Sequence, residues 1–157
     1  MRPPVPAGAA AVERQAAALL EKGRFDEAEA KYRQLLASGT ASASALVSYA
    51  ALCGRTERFD AMVPLLQRAL VLEPDLPEAH LNLGVALRRQ GDLAGAIAAY
   101  RQALQLRPHN PDGWHNLGLA LEAEGKPNEA ALAYRRALQL RPTSPATLTQ
   151  LAGVLAG

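Results

Sequence analysis

The chain has 157 residues, 49% hydrophobic but only 4% aromatic, with 17 basic against 15 acidic residues and a formal charge of +2. That length suits one ordinary domain, and its core must come from Ala, Leu and Val, small or straight residues that favour closely packed helices. No segment gathers one sign of charge, which excludes the electrostatic footprint of a nucleic-acid binder, and no run approaches the roughly 18 apolar residues of a transmembrane helix.

Residues 1–8 hold Pro3, Pro4 and Pro6, which cannot share a helix interior, so a short flexible or extended leader is expected there. The start lacks the apolar central stretch of a secretory signal, so a cytoplasmic protein is expected. From residue 9 onward the chain repeats itself. Residues 77–110 and 111–144 are identical at 17 of 34 positions, and the same step reaches back to 43–76 and 9–42 with no insertion. Residues 145–157 form a partial fifth unit. Aligned columns place Gly84 and Gly118 with Ala16, Ala50 and Ala152, and Tyr32 with Leu66, Tyr100 and Tyr134.

Each unit carries the signals of two helices. Asn110-Pro111 and Ser144-Pro145 pair a capping side chain with a proline whose missing N–H is harmless at a helix start. Gly23, Gly91 and Gly125 mark the end of the first helix, Asp92 can cap the second, and Pro127 opens another. Arg107 and Arg141 fall at helix C-termini, where a cation suits the dipole. Pro64 is tolerated if Asp60 is the cap of its helix, and kinks that helix if it begins earlier. Small residues at Gly84, Gly118, Ala96 and Ala130 predict the points where paired helices touch.

Trp114, Leu117, Gly118, Leu121, Ala130, Tyr134 and Pro142 follow the order and spacing W-x₂-L-G-x₂-Y…A-x₃-F…P, with Leu121 and Tyr134 replacing two aromatic positions by other large side chains. The chain therefore resembles the tetratricopeptide-repeat family. The resemblance implies an all-α fold: a right-handed superhelical α-solenoid of antiparallel helix pairs over residues 9–157, with a concave face lined by the first helix of each pair. It implies a protein-interaction scaffold or adaptor that binds a peptide segment in that groove, and no enzyme. A second reading is the substrate-recruiting arm of a larger glycosyltransferase or sulfotransferase. Repeat arms of bacterial scaffold proteins and of O-GlcNAc transferase-like enzymes are similar.

Carried over by position, the groove is expected to present Val47, Ser48 and Arg55 from the second unit. It takes Leu81, Asn82, Val85 and Arg89 from the third, and His115, Asn116 and Leu119 from the fourth. Asn82 and Asn116 stand one unit apart, in one column with Ser48 and Gln150. An amide with donors and an acceptor can hold a peptide backbone whatever its side chains, and it can equally cap a local turn or meet water. A carboxylate clamp is not expected, because Glu78 and Asp112 occupy the positions where that clamp needs cations.

Other chemistry finds little footing. His80, His109 and His115 lack Cys or carboxylate partners at metal-site spacing, so no metal or cofactor is expected. The single cysteine, Cys53, shares a column with Leu19, Leu87 and Leu121 and reads as a small buried hydrophobe. The last segment, 145–157, carries no charge, and its Leu148, Leu151, Val154 and Leu155 fall in core columns and are expected to be buried. Either the chain associates with itself or another molecule through this apolar helix, or the polypeptide continues. The expected partner is a protein or peptide, with no nucleic acid and no membrane.

Overall fold

A computed structural model describes residues 7–157. The proline-rich leader lies outside those residues except for Ala7 and Gly8, which already belong to the first helix. Among the described residues there are nine helices and no strand. They are α1 (Ala7–Glu21), α2 (Phe25–Ala37), α3 (Ala43–Arg55), α4 (Phe59–Leu72), α5 (Pro77–Arg89), α6 (Leu93–Leu106), α7 (Pro111–Ala123), α8 (Pro127–Leu140) and α9 (Pro145–Ala156). The starts of α3, α5, α7 and α9 are spaced by 34 residues, as are those of α2, α4, α6 and α8. Consecutive helices pack as antiparallel pairs, and the chain divides into two compact units, residues 1–74 and 75–157.

The capping signals act as expected. Asn110 accepts from the amides of Asp112 and Gly113 at 3.1 Å, Asp92 from Gly95 at 2.9 Å, and Ser144 from Thr147. Gly23, Gly91 and Gly125 turn the chain with φ of 71°, 85° and 78°. The same column holds Glu57 in the second repeat, and its φ is 58°, a left-handed conformation that a side chain disfavours. Asp60 is not a cap. The helix begins at Phe59, so Pro64 lies inside α4 and can donate no backbone hydrogen bond there.

In the unit of residues 1–74, polar contacts bind the helices to one another. Glu13 on α1 accepts from the amide and hydroxyl of Ser42, both at 2.8 Å, and so fastens α1 to the cap of α3. Glu29 on α2 accepts from Arg33, from the Tyr49 hydroxyl on α3, and through both oxygens from Arg58. Beneath this, Tyr32 stacks on Tyr49 with centroids 5.4 Å apart and planes 11° from parallel. Leu35, Leu46, Leu52, Leu66 and Cys53 are among the largest fully buried side chains. Burial pushes the Cys53 thiol above its ordinary value, so it behaves as an inert hydrophobe.

In the unit of residues 75–157, Tyr100 and Tyr134 are wholly buried at the centre of a core completed by Ile97, Leu104, Leu117 and Leu121. Their rings lie directly against Gly84 and Gly118. A Cβ at Gly84 would come within 2.5 Å of the Tyr100 ring, which is why the first helix carries no side chain there. Two ion pairs recur at the repeat spacing: Glu78 with Arg107 at 2.6 Å and Asp112 with Arg141 at 2.7 Å. The arginines at the ends of α6 and α8 therefore have carboxylate partners as well as a dipole. Helix α9 docks through Leu151 and Val154. Leu148 and Leu155, expected in the core, are instead 49% and 59% exposed. One helix has only one inward stripe, and Leu148 and Leu155 fall at its margins.

Candidate functional site

Helices α5 and α7 lie side by side and touch directly. Successive residues of a helix turn by about 100°, so Leu81, Asn82, Val85, Arg88 and Arg89 share one face of α5. The equivalent face of α7 carries His115, Asn116, Leu119 and Glu122. Leu81, Val85 and Leu119 are half-buried and pack onto the core beneath, so they form an apolar floor. Asn82 and Asn116 are half-buried at the same register. Neither amide is a helix cap: Leu76 and Gln90 flank α5, and Asn110 and Glu124 flank α7. Arg89 is exposed at the end of α5.

His115 is engaged within the fold. Its Nδ1 lies 2.9 Å from the Thr147 hydroxyl on α9, and its ring tilts at 48° against Tyr134. Burial lowers its pKa, with Asp112 opposing and Arg88 assisting that shift. The imidazole is thus kept neutral, as a fastener of α9. Beside it, the Tyr134 hydroxyl donates to Glu122 Oε2 at 2.7 Å, and burial together with that carboxylate pushes the phenol well above its usual range.

In the unit of residues 1–74, Val47 and Ser48 are half-buried on α3. Ser48 lines a small cavity of about 200 Å³ with Glu13, Arg14 and Tyr32. Arg55 lies over the Phe25 ring, 4.5 Å from its centroid, a cation–π contact that holds its guanidinium against α2.

A larger cavity, about 560 Å³, opens on the other side of α7, between α6 and α8. Trp114, Leu117 and Leu121 form its floor, with Arg101, Glu129 and Arg136 at its edge. Position-by-position reading of the inner face could not find it, because these are the pattern's own packing residues. Among the described residues no three His, Cys, Asp or Glu side chains gather as a metal cage requires. No described helix is long and apolar enough to cross a membrane.

Models of the tetratricopeptide repeat match residues 2–43, 13–75, 65–98 and 111–144, and a further repeat model of the same kind matches 86–125. The chain belongs to the tetratricopeptide-repeat family. No curated protein matches it. Among solved structures, MamA (residues 41 to the end) from Desulfovibrio magneticus RS-1 superposes with a TM-score of 0.88 at 16% identity, over 98% of this chain and 86% of that one. YrrB, described as a tetratricopeptide-repeat protein with an unusual peptide-binding site, superposes at 0.82 with 20% identity, over 90% of this chain and 73% of that one. The first repeat domain of Spaghetti (RPAP3), bound to the HSP90 peptide SRMEEVD, gives 0.71 with 22% identity, over 74% and 94%. At such identities the likeness is one of fold.

Arg88 and Glu122 share one column of this tetratricopeptide face, with their charges reversed.

Proposed function

We propose that this chain is a protein-interaction module that holds an extended peptide segment on the face shared by α5 and α7. The observation that carries this reading is the pair Asn82 and Asn116, half-buried on adjoining helices at one register and not used as caps. Their amides can bond the backbone of a peptide while Leu81, Val85 and Leu119 take its apolar side chains. Glu78 and Asp112 are paired with Arg107 and Arg141, so no cation there awaits a terminal carboxylate. In the unit of residues 1–74, Val47, Ser48 and the small cavity beside Tyr32 offer the same kind of surface on their own scale. The test is a pulldown with Asn82→Ala and Asn116→Ala combined. Loss of the partners that the unchanged chain retains supports this face; their full retention moves the site elsewhere, the cavity at Trp114 first.

Exposed Leu148 and Leu155 on the uncharged α9 favour a second contact, self-association through that helix. Sedimentation of the wild type against Leu148→Ser/Leu155→Ser tests it. A wild type that stays monomeric at high concentration removes this contact.

A further inference from the structure

Helices α6, α7 and α8 each turn one face to the cavity of about 560 Å³. On α7, Trp114, Leu117 and Leu121 recur at helical spacing, and on α8 Glu129, Leu132 and Arg136 do the same. The lining is apolar at depth: Leu117 and Leu121 are buried, and Trp114 is half-buried against them. The Trp114 indole N–H donates to the Pro108 carbonyl at 2.8 Å, so its polar edge is satisfied and its ring serves as an apolar wall. Leu132, 63% exposed, stands at the mouth.

A space of this volume, apolar within and edged by a few polar groups, has the character of a small-molecule pocket. The helices that wall it have spent their backbone groups on their own hydrogen bonds, so an extended peptide finds no main-chain partner from them. Three charges line the edge, and two of them cancel. Arg101 on α6 pairs with Glu129 on α8 at 3.1 Å. Arg136 lies two turns along α8 from Glu129, about 10 Å away. Among the described residues it bonds only a neutral group, the Gln139 amide oxygen, at 2.9 Å. The complement of this arrangement is an apolar body carrying one anionic oxygen group, since a guanidinium binds a carboxylate more strongly than a neutral amide.

We infer that the cavity between α6, α7 and α8 binds a small amphipathic carboxylate. Its apolar body lies against Trp114, Leu117 and Leu121, and its carboxylate meets Arg136. The site is on the other side of α7 from Asn116 and stands independently of the peptide reading of the α5–α7 face.

Trp114 is the only tryptophan of the chain, so its emission reports on this cavity in the unchanged protein. The probes are octanoate, octan-1-ol and octylammonium, which share a tail and differ in head group. Octanoate should shift the emission to the blue saturably and bind about ten-fold more tightly than octylammonium, with octan-1-ol between them. That preference should vanish in Arg136→Gln and persist in Arg135→Gln; both arginines are exposed, so neither change disturbs the core. Leu132→Glu, at the exposed mouth, should weaken octanoate and leave octylammonium bound. No saturable shift up to about 3 mM octanoate, equal binding of octanoate and octylammonium, or a preference that survives Arg136→Gln overturns the site. A shift with an acetylated and amidated alanine decapeptide carrying a central Leu-Glu, where octanoate gives none, overturns it too and makes the cavity a peptide site.

Discussion

Arg58 grips Glu29 through two parallel hydrogen bonds of 2.8 Å, one to each carboxylate oxygen. The pair joins α2 to the turn before α4, and the Tyr49 hydroxyl adds a third bond at 3.0 Å. The Arg58 hydrogen bond is the largest cause holding the Glu29 carboxyl down at about 2 against its ordinary 4.5; burial opposes the shift, and Tyr49 and Arg33 assist it. A carboxyl depressed in the folded state stabilises fully above its unfolded value, and that stability is lost as pH falls from about 4.5 towards 2. Arg58 keeps 38% exposure, so water screens the pair and about 2 kcal/mol is the expected scale. Glu29→Gln should lower stability at neutral pH by that amount and flatten the acid limb. Hydrogen exchange of α2 and α3 at pH 7, 4 and 3 measures it. An acid limb unchanged in the variant would refute the assignment.

Glu57 stands where the other repeats place glycine, with φ of 58°. Glu57→Gly removes a left-handed strain of about 1–2 kcal/mol and adds about 0.5–1 kcal/mol of chain entropy cost. The net expectation is a gain of about 0.5–1 kcal/mol, seen as a thermal midpoint raised by about 2 °C. A lower midpoint would show that the Glu57 side chain contributes more than its backbone costs.

Gly118→Ala should destabilise by about 1–3 kcal/mol, since the new methyl meets the buried Tyr134 ring, whose Cδ1 would lie only 2.6 Å away. Gly153→Ala makes the contrast. Nothing lies within 4 Å of a Cβ there, and it sits inside α9, so it should stabilise by about 0.5–1 kcal/mol. Thermal melts of both variants decide the matter; equal effects would mean that the tyrosine can step aside.

His115 holds α9 through Thr147 in its neutral form. Because burial depresses its pKa, the unfolded chain takes up a proton first as pH falls below the ordinary 6.5, and the anchorage of α9 weakens there. Amide exchange in α9, corrected for intrinsic rates, should be faster at pH 5.5 than at 7.5. His115→Phe keeps the ring against Tyr134 and should abolish the difference. The same pH dependence in both proteins would place its source in another group.

Much of this protein is written locally, and such features were legible. The caps at Asp92, Asn110 and Ser144, the helix-ending glycines and the 34-residue period depend on a residue and its near neighbours, and the structure repeats them. Asp60 failed as a cap because a helix start depends on the backbone it inherits from the turn before it. Leu148 and Leu155 could not be placed because an apolar residue in a uniformly apolar helix does not say which side will find a neighbour.

By itself, then, the sequence determined the repeat, its two helices and the columns of small residues opposite tyrosines, because these follow from spacing and steric size along one chain. Tertiary structure decided which polar groups found partners. It joined Glu29 to Arg58, His115 to Thr147 and Tyr134 to Glu122. Hydrogen bonds need atoms within about 3 Å at a favourable angle. Residues some 30 positions apart reach that distance only when the helices carrying them have packed.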